Sequence, residues 1–396
     1  HSILSSRQRE GASSTLSFGI HTLVRQIALE RMLPERHAEL SAGHACWRAR
    51  QAEALADDLR PQAIAVIAAA ETGLRDAFEW TEVHAEERNA GAMGAVIASA
   101  LGRLIESRGP SPWLTSLLDR AVLRTEKVHV PIARRAELVF YRGFARVETW
   151  DLQGARKQLE EARALAAAGG NSRIEGRAWA QLAWCAARDG RVIDADEMCE
   201  GLAKLTSTAG DSRLEMLVTG LHTVLELNCA HFSRARKGVE RWREQAVAER
   251  DETHEALALG TVGCVAFEER GPEASIPHFD RAIEFAESRH VLMAVGIFSG
   301  YRAMAYHVLK DPRAEDAYLD AIARAERAHT LVFAALFRGW HASLRAEQGH
   351  PEEATRVIDL MTAFASWDIS ETMFRLFRGH VDLHHARAAA ASNDPT

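Results

Sequence analysis

Two histidines one helical turn apart, a His-Glu pair and a serine between glycines are the places where chemistry could begin in this chain. His380 and His384, in FRGHVDLHHARA, share a helix face with Asp382 and His385 beside them. That spacing can hold a divalent cation, but two ligands on one terminal helix make a poor site without a third. The stretch therefore reads as a solvated terminal helix, and no metal is assigned. His254-Glu255 opens an HExxH pattern, yet Ala258 stands where the second histidine belongs. Ser299 lies in GIFSG, where the glycine spacing differs from GxSxG and the setting is helical. No GxxxxGK[ST] occurs, so no P-loop can cradle a nucleotide. The chain is read as a non-enzyme without a cofactor.

Composition narrows the class further. The 396 residues carry a formal charge of −7, which argues against a surface built for nucleic-acid phosphates. No apolar run is long enough to span a bilayer, and residues 1–15 (HSILSSRQREGASST) lack the order of a signal peptide. They are expected to be disordered. A chain opening on His1 reads as a piece of a longer protein. Arginine far outnumbers lysine and alanine is abundant, the bias of a GC-rich bacterial genome. Five cysteines, at 46, 185, 199, 229 and 264, form no CxxC pair. They read as reduced core thiols, and the expected location is the cytoplasm.

These residues must be positioned by helices, because apolar residues recur at three and four and strand signals are nearly absent. Ala155, Ala195, Ala235, Ser275, Ala314 and Ala354 recur at an almost constant spacing, one position shorter only between Ser275 and Ala314. Four residues after each stands a bulkier group: Leu159, Cys199, Val239, Phe279, Tyr318 and Ile358. About twelve residues before each, in a preceding helix, stand Gly143, Ala183, Thr223, Gly263, Ala303 and Ala342. Gly102, followed by Leu114, Leu118 and Ala121, adds one unit towards the N-terminus, making seven register-matched helix pairs. Small residues at these positions let paired helices approach while the larger one fills the groove.

This pattern resembles the tetratricopeptide repeat, with a small residue in the first helix and Ala-x3-aromatic-x2-Ala in the second. The period, near forty, is about six residues longer than the usual 34, and the terminal proline is missing. The resemblance implies an all-α, right-handed α-solenoid of about seven helix pairs with a concave face. It spans residues 85–370, followed by a capping helix and tail over 371–396.

Ahead of it, 16–84 reads as a helical linker. Leu23, Arg25, Ala28, Glu30 and Arg31 fit an L-x-R-x-x-A-x-E-R stretch. Arg36-His37-Ala38 follow, and then Leu74, Arg75, Ala77 and Trp80, with Gly73 where the pattern has Asn. In that order the motifs resemble the junction between ATPase and repeats in STAND-type signal-transduction ATPases, including LuxR-like and SARP-like transcriptional regulators. The resemblance implies the sensor half of a regulator, with its ATPase upstream. A free-standing scaffold that assembles protein partners is the alternative.

The groove is where binding is expected. Let n denote the small residue of each first helix. At n−3 stand Phe140, Ala180, Gly220, Gly260, Gly300 and Gly339; at n+1 stand Phe144, Trp184, Val224, Cys264, Met304 and Ser343. Both sets are expected near the inner face, giving an apolar, low-walled groove for a protein or peptide partner or a small-molecule effector. No direct contact with nucleic acid or membrane is expected. The candidate binding residues are Phe140, Phe144, Trp184, Gly220, Val224, Gly260, Cys264, Gly300, Met304 and Gly339. A glycine within a helix costs about 1 kcal/mol against alanine, so its recurrence at 220, 260, 300 and 339 implies close approach of something. The sequence leaves open whether that is the next repeat or a ligand.

Overall fold

A computed structural model describes residues 4–7, 17–20, 30–56, 61–87, 89–149, 151–209, 211–362 and 368–392. Leu4–Arg7 (β1) and Ser17–Ile20 (β2) pair antiparallel, with Leu4 opposite Ile20. Within the span expected to be disordered, residues 4–7 thus form a strand. Backbone groups can satisfy one another in such a ribbon without any apolar periodicity to announce it. Of the first linker motif, Leu23, Arg25 and Ala28 lie outside the described residues.

Everything else in the described chain that is regular is helix. Two N-terminal helices, α1 (Pro34–Ala54) and α2 (Pro61–Val83), precede the array. Its first pair is α3 (Ala90–Gly102), extended by the single turn α4 (Ile105–Arg108), with α5 (Pro112–Thr125). The next pairs are α6 (Ile132–Glu148) with α7 (Leu152–Ala168), and α8 (Ser172–Arg188) with α9 (Val192–Ala209). They are followed by α10 (Ser212–Asn228) with α11 (Phe232–Ala248), and α12 (Glu252–Arg270) with α13 (Pro272–Ser288). The last two pairs are α14 (Leu292–Val308) with α15 (Ala314–Arg327), and α16 (Leu331–Glu347) with α17 (Pro351–Thr362). The single helix α18 (Asp368–Ser392) closes the array against α16 and α17. No described helix is long and apolar enough to cross a membrane.

A local device recurs at successive helix ends. Gly170, Gly190, Ala230, Arg250, His290, Lys310, His329 and Gly349 all have φ between 53° and 88°. Each ends a helix in the left-handed conformation, and the following N–H reaches back five residues, as in His231 to Glu226 (2.8 Å) and Asp251 to Ala246 (2.9 Å). Three of the first helices are then capped by their own Asn or Asp. Asn171, Asp211 and Asp251 accept from the N–H groups of Ile174, Leu214 and His254 at 3.0–3.1 Å. Arg213 binds the cap Asp251 at 2.6 Å, which ties one pair to the next.

Packing follows two axes. Within a pair, the small residue at n meets the bulky residue of its own second helix: Gly143 faces Leu159, and Gly263 faces Phe279. Between pairs, the following first helix packs against both helices of the pair before it. One continuous core runs from Ala45 to Cys185, and smaller clusters then serve successive interfaces. Each pair contacts chiefly its neighbours, as expected of a solenoid. The array also curves back on itself. Glu106 and Ser107 share a small cavity with Arg213, Asp251 and His254, and Gly109 lies against His329.

Candidate functional site

The n−3 residues do not face open space. A methyl group at Gly260 would overlap the ring of Phe298, one at Gly300 the ring of Phe337, and one at Gly339 the ring of Phe377. Each ring comes from the helix that packs next along the array, just short of one full repeat further on. Gly220 is covered instead by Trp242 of its own second helix; the equivalent position on the next first helix is Ala258, too small to reach. Phe140 is fully buried beneath the Arg177 guanidinium, 4.5 Å from its ring. Phe140, Gly220, Gly260, Gly300 and Gly339 are therefore packing positions, and the visitor is the protein itself. Position n−3 is about 40° around the helix from n+1, enough to place it under the neighbouring helix instead of in the groove.

The n+1 residues have the other fate. Trp184, Val224, Cys264 and Met304, from four successive first helices, line one cavity of about 580 Å³. Phe144 stacks on Phe140 (5.9 Å) and takes no part in it, and Ser343 is buried. Further lining comes from n−6 and n−2, which the small-residue periodicity does not mark: Leu257 and Thr261 on α12, Ile297 and Tyr301 on α14. With n+1 they form an i, i+4, i+7 stripe, a signal present in the sequence once n is known. Phe232, Trp242, Phe279 and Phe333 complete an aromatic wall.

Polar groups sit towards one edge. Glu148 and Arg188, both at n+5, line the cavity together with Glu268. Burial pushes the Glu148 carboxyl up while Arg188 pulls it down, and burial lowers Arg188 while Glu148 raises it. Arg188 donates to the Val147 carbonyl (3.0 Å) and lies 5.1 Å over the Trp184 ring. Burial, reinforced by Glu268, pushes the Cys264 thiol up to about 12, so it remains protonated and unreactive near neutral pH. Burial also raises the Tyr301 phenol, with the Cys264 thiol adding to it. An apolar, aromatic cavity with a few peripheral polar groups is suited to binding.

The N-terminal end of the same stripe is polar. Arg177, nearly buried, donates to Glu106 (2.7 Å) and to the Tyr141 hydroxyl (3.2 Å), while Arg134 binds Glu137 (2.5 Å). His254, which began an incomplete metal motif, accepts at Nδ1 from the Trp242 indole N–H (3.2 Å). His380 lies 3.4 Å from Glu347, and its ring centroid is 4.9 Å from that of His384. Among the described residues no group of three His, Cys, Asp or Glu side chains is arranged to hold a metal ion. In the linker, Leu74 and Ala77 are buried, and Gly73 makes room for the Arg48 guanidinium where a side chain would collide.

The fold defines a tetratricopeptide-like α-solenoid. No protein-family model matches the chain, and comparison with curated proteins gives no match. Solved structures do match. A Rap protein complexed with competence and sporulation factor is 12% identical, with TM-score 0.58 over 89% of this chain and 99% of its own. A STAND protein with a tetratricopeptide-repeat sensor, from Pyrococcus horikoshii, is 14% identical, with TM-score 0.52 over 94% of this chain. This chain spans only 55% of that protein. NprR in complex with its cognate peptide NprX is 13% identical, with TM-score 0.51 over 83% of this chain and 99% of its own. At these identities the likeness is one of fold.

Proposed function

We propose that this chain is a sensor whose groove takes up an apolar peptide segment, and that it serves as the sensing half of a STAND-type regulator. The observation that carries the binding reading is the convergence of Trp184, Val224, Cys264 and Met304, one from each of four successive first helices, on a single apolar cavity. Its volume lies within the ordinary range of ligand pockets, about 300–1,000 Å³. Two proteins of similar fold were solved with a bound factor or peptide, which supports the choice of a peptide over a rigid partner surface. The linker residues Arg36-His37-Ala38 and Leu74 to Trp80, together with the likeness to a STAND sensor, support the regulator context.

The test of binding is isothermal titration of the purified chain against apolar pentapeptides, alongside the Val224→Trp and Met304→Trp variants. Both substitutions fill the cavity from its wall. Saturable binding, weakened at least tenfold in both variants while the fold is retained, is the expected result. Binding that ignores both variants would move the site elsewhere. A stable folded partner captured with no peptide response would favour the free-standing scaffold. The regulator context is tested by the coding sequence upstream: the reading requires a P-loop domain there and fails without one.

A further inference from the structure

The row of residues at n+5 carries its charge unevenly. In chain order it holds Glu148, Arg188, Asn228, Glu268, Val308 and Glu347. Glu148 has its counter-charge one repeat along in Arg188, and each favours the charged form of the other. Glu347 meets His307 at 3.2 Å and His380 at 3.4 Å. Glu268 stands between Asn228 and Val308, neither of which can carry a charge. Its carboxylate makes no hydrogen bond or ion pair with any described residue. It borders the apolar cavity all the same, close enough to the Cys264 thiol to push it up.

Arg188 is the one cation among the described residues that line the cavity, and it is already engaged by Glu148, the Val147 carbonyl and the Trp184 ring. Glu148 and Arg188 balance each other, so the cavity keeps one uncompensated negative charge, at Glu268. An anionic guest is repelled there, and a wholly apolar one leaves the carboxylate without a partner. A guanidinium offers a carboxylate two parallel N–H donors, and its flat face can rest on an aromatic ring. An ammonium supplies the charge without that fork.

We propose that the segment bound in the groove carries one basic side chain, arginine in preference to lysine, which pairs with Glu268 while its apolar neighbours fill the cavity. This rests on the peptide reading of the groove and adds the charge of the guest to it. Complementary charge at the rim of an apolar site selects among guests more than it adds raw affinity.

The test is isothermal titration of the full chain with blocked pentapeptides of leucine and valine, whose ends carry no charge. Derivatives place a single arginine, or a single glutamate, at each position in turn. At least one arginine peptide should bind about tenfold tighter than the uncharged parent, and its glutamate counterpart should bind more weakly than the parent. That preference should shrink as salt is raised, because a rim charge is screened. Glu268→Gln should bring the ratio of arginine peptide to parent close to one, and Glu268→Lys should turn the preference over to glutamate. Val308→Lys, at a 59% exposed residue next along the row, should compensate Glu268 in place and lower the same ratio. The parent peptide, titrated into every variant, separates a lost charge from a lost cavity. Equal affinity for arginine and parent peptides in the wild type overturns the proposal and leaves the apolar groove standing. An arginine preference that survives Glu268→Gln overturns it too, and its loss in Glu148→Gln would move the cation to that carboxylate. Wild type that binds none of the peptides overturns the groove reading and this proposal with it.

Discussion

Gly300 illustrates what a single residue does here. Alanine would improve the intrinsic helix preference by about 1 kcal/mol, but its methyl group would overlap the fully buried Phe337 ring. Overpacking a tight core costs about 1–3 kcal/mol, so Gly300→Ala should lower stability by up to about 2 kcal/mol in urea unfolding, net of the propensity gain. Adding Phe337→Leu should make the two changes less than additive, because the shorter side chain relieves the overlap. Strict additivity would mean the ring does not rest on the glycine. His254 supplies a pH dependence. Burial holds its pKa below the ordinary value, with Asp251 raising it, Arg213 lowering it and Glu106 raising it. The unfolded chain, with a histidine pKa near ~6.5, then binds more protons than the native state as the pH drops below that value. Its contribution is present above ~pH 6.5 and is lost as the pH falls towards the folded pKa. The melting temperature should fall between pH 7.5 and 5.5, and His254→Gln should flatten that slope. Equal slopes in the two proteins would remove His254 from the account.

At the scale of the element, many helices end on a residue with positive φ, some of them not glycine. Ala230 (φ 59°) and Lys310 (φ 55°) hold the left-handed conformation with a Cβ attached, which costs about 1–2 kcal/mol. Ala230→Gly and Lys310→Gly should each raise stability by roughly 0.5–1 kcal/mol, after the extra backbone entropy of glycine is set against the relief. Chemical denaturation checks this, and a loss of stability in both would show that these turns are not strained. Gly170, Gly190 and Gly349 at equivalent turns announce their helix ends in the sequence, whereas Arg250 and His290 do not. There, the boundary follows from the five-residue reach of the next N–H, a property of the backbone and not of side-chain type.

At the scale of the whole molecule, stability should propagate from neighbour to neighbour. Removing residues 363–396 takes Phe377 off Gly339 and Trp340, whose ring lies 5.4 Å from that of Phe377. Amide exchange should then quicken in α16 and α17 and remain unchanged in α6 and α7. Uniform quickening along the chain would mean that the array behaves as one cooperative unit. The curvature that brings Gly109 to His329 also wraps the first helices around the groove, so residues two repeats apart, such as Trp184 and Cys264, come to line one cavity.

The all-α class, the repeat period and the small residue n were legible in the sequence alone, because burial of one helix face imposes a pattern that survives without coordinates. The same periodicity located Trp184, Val224, Cys264 and Met304. It could not tell n−3 from n+1. Both lie on one side of the helix, and only the position of the neighbouring first helix decides which is covered. Tertiary packing alone put Phe298, Phe337 and Phe377 on Gly260, Gly300 and Gly339. A ring from another helix, almost a full repeat away in the chain, fills space that no local spacing can reserve.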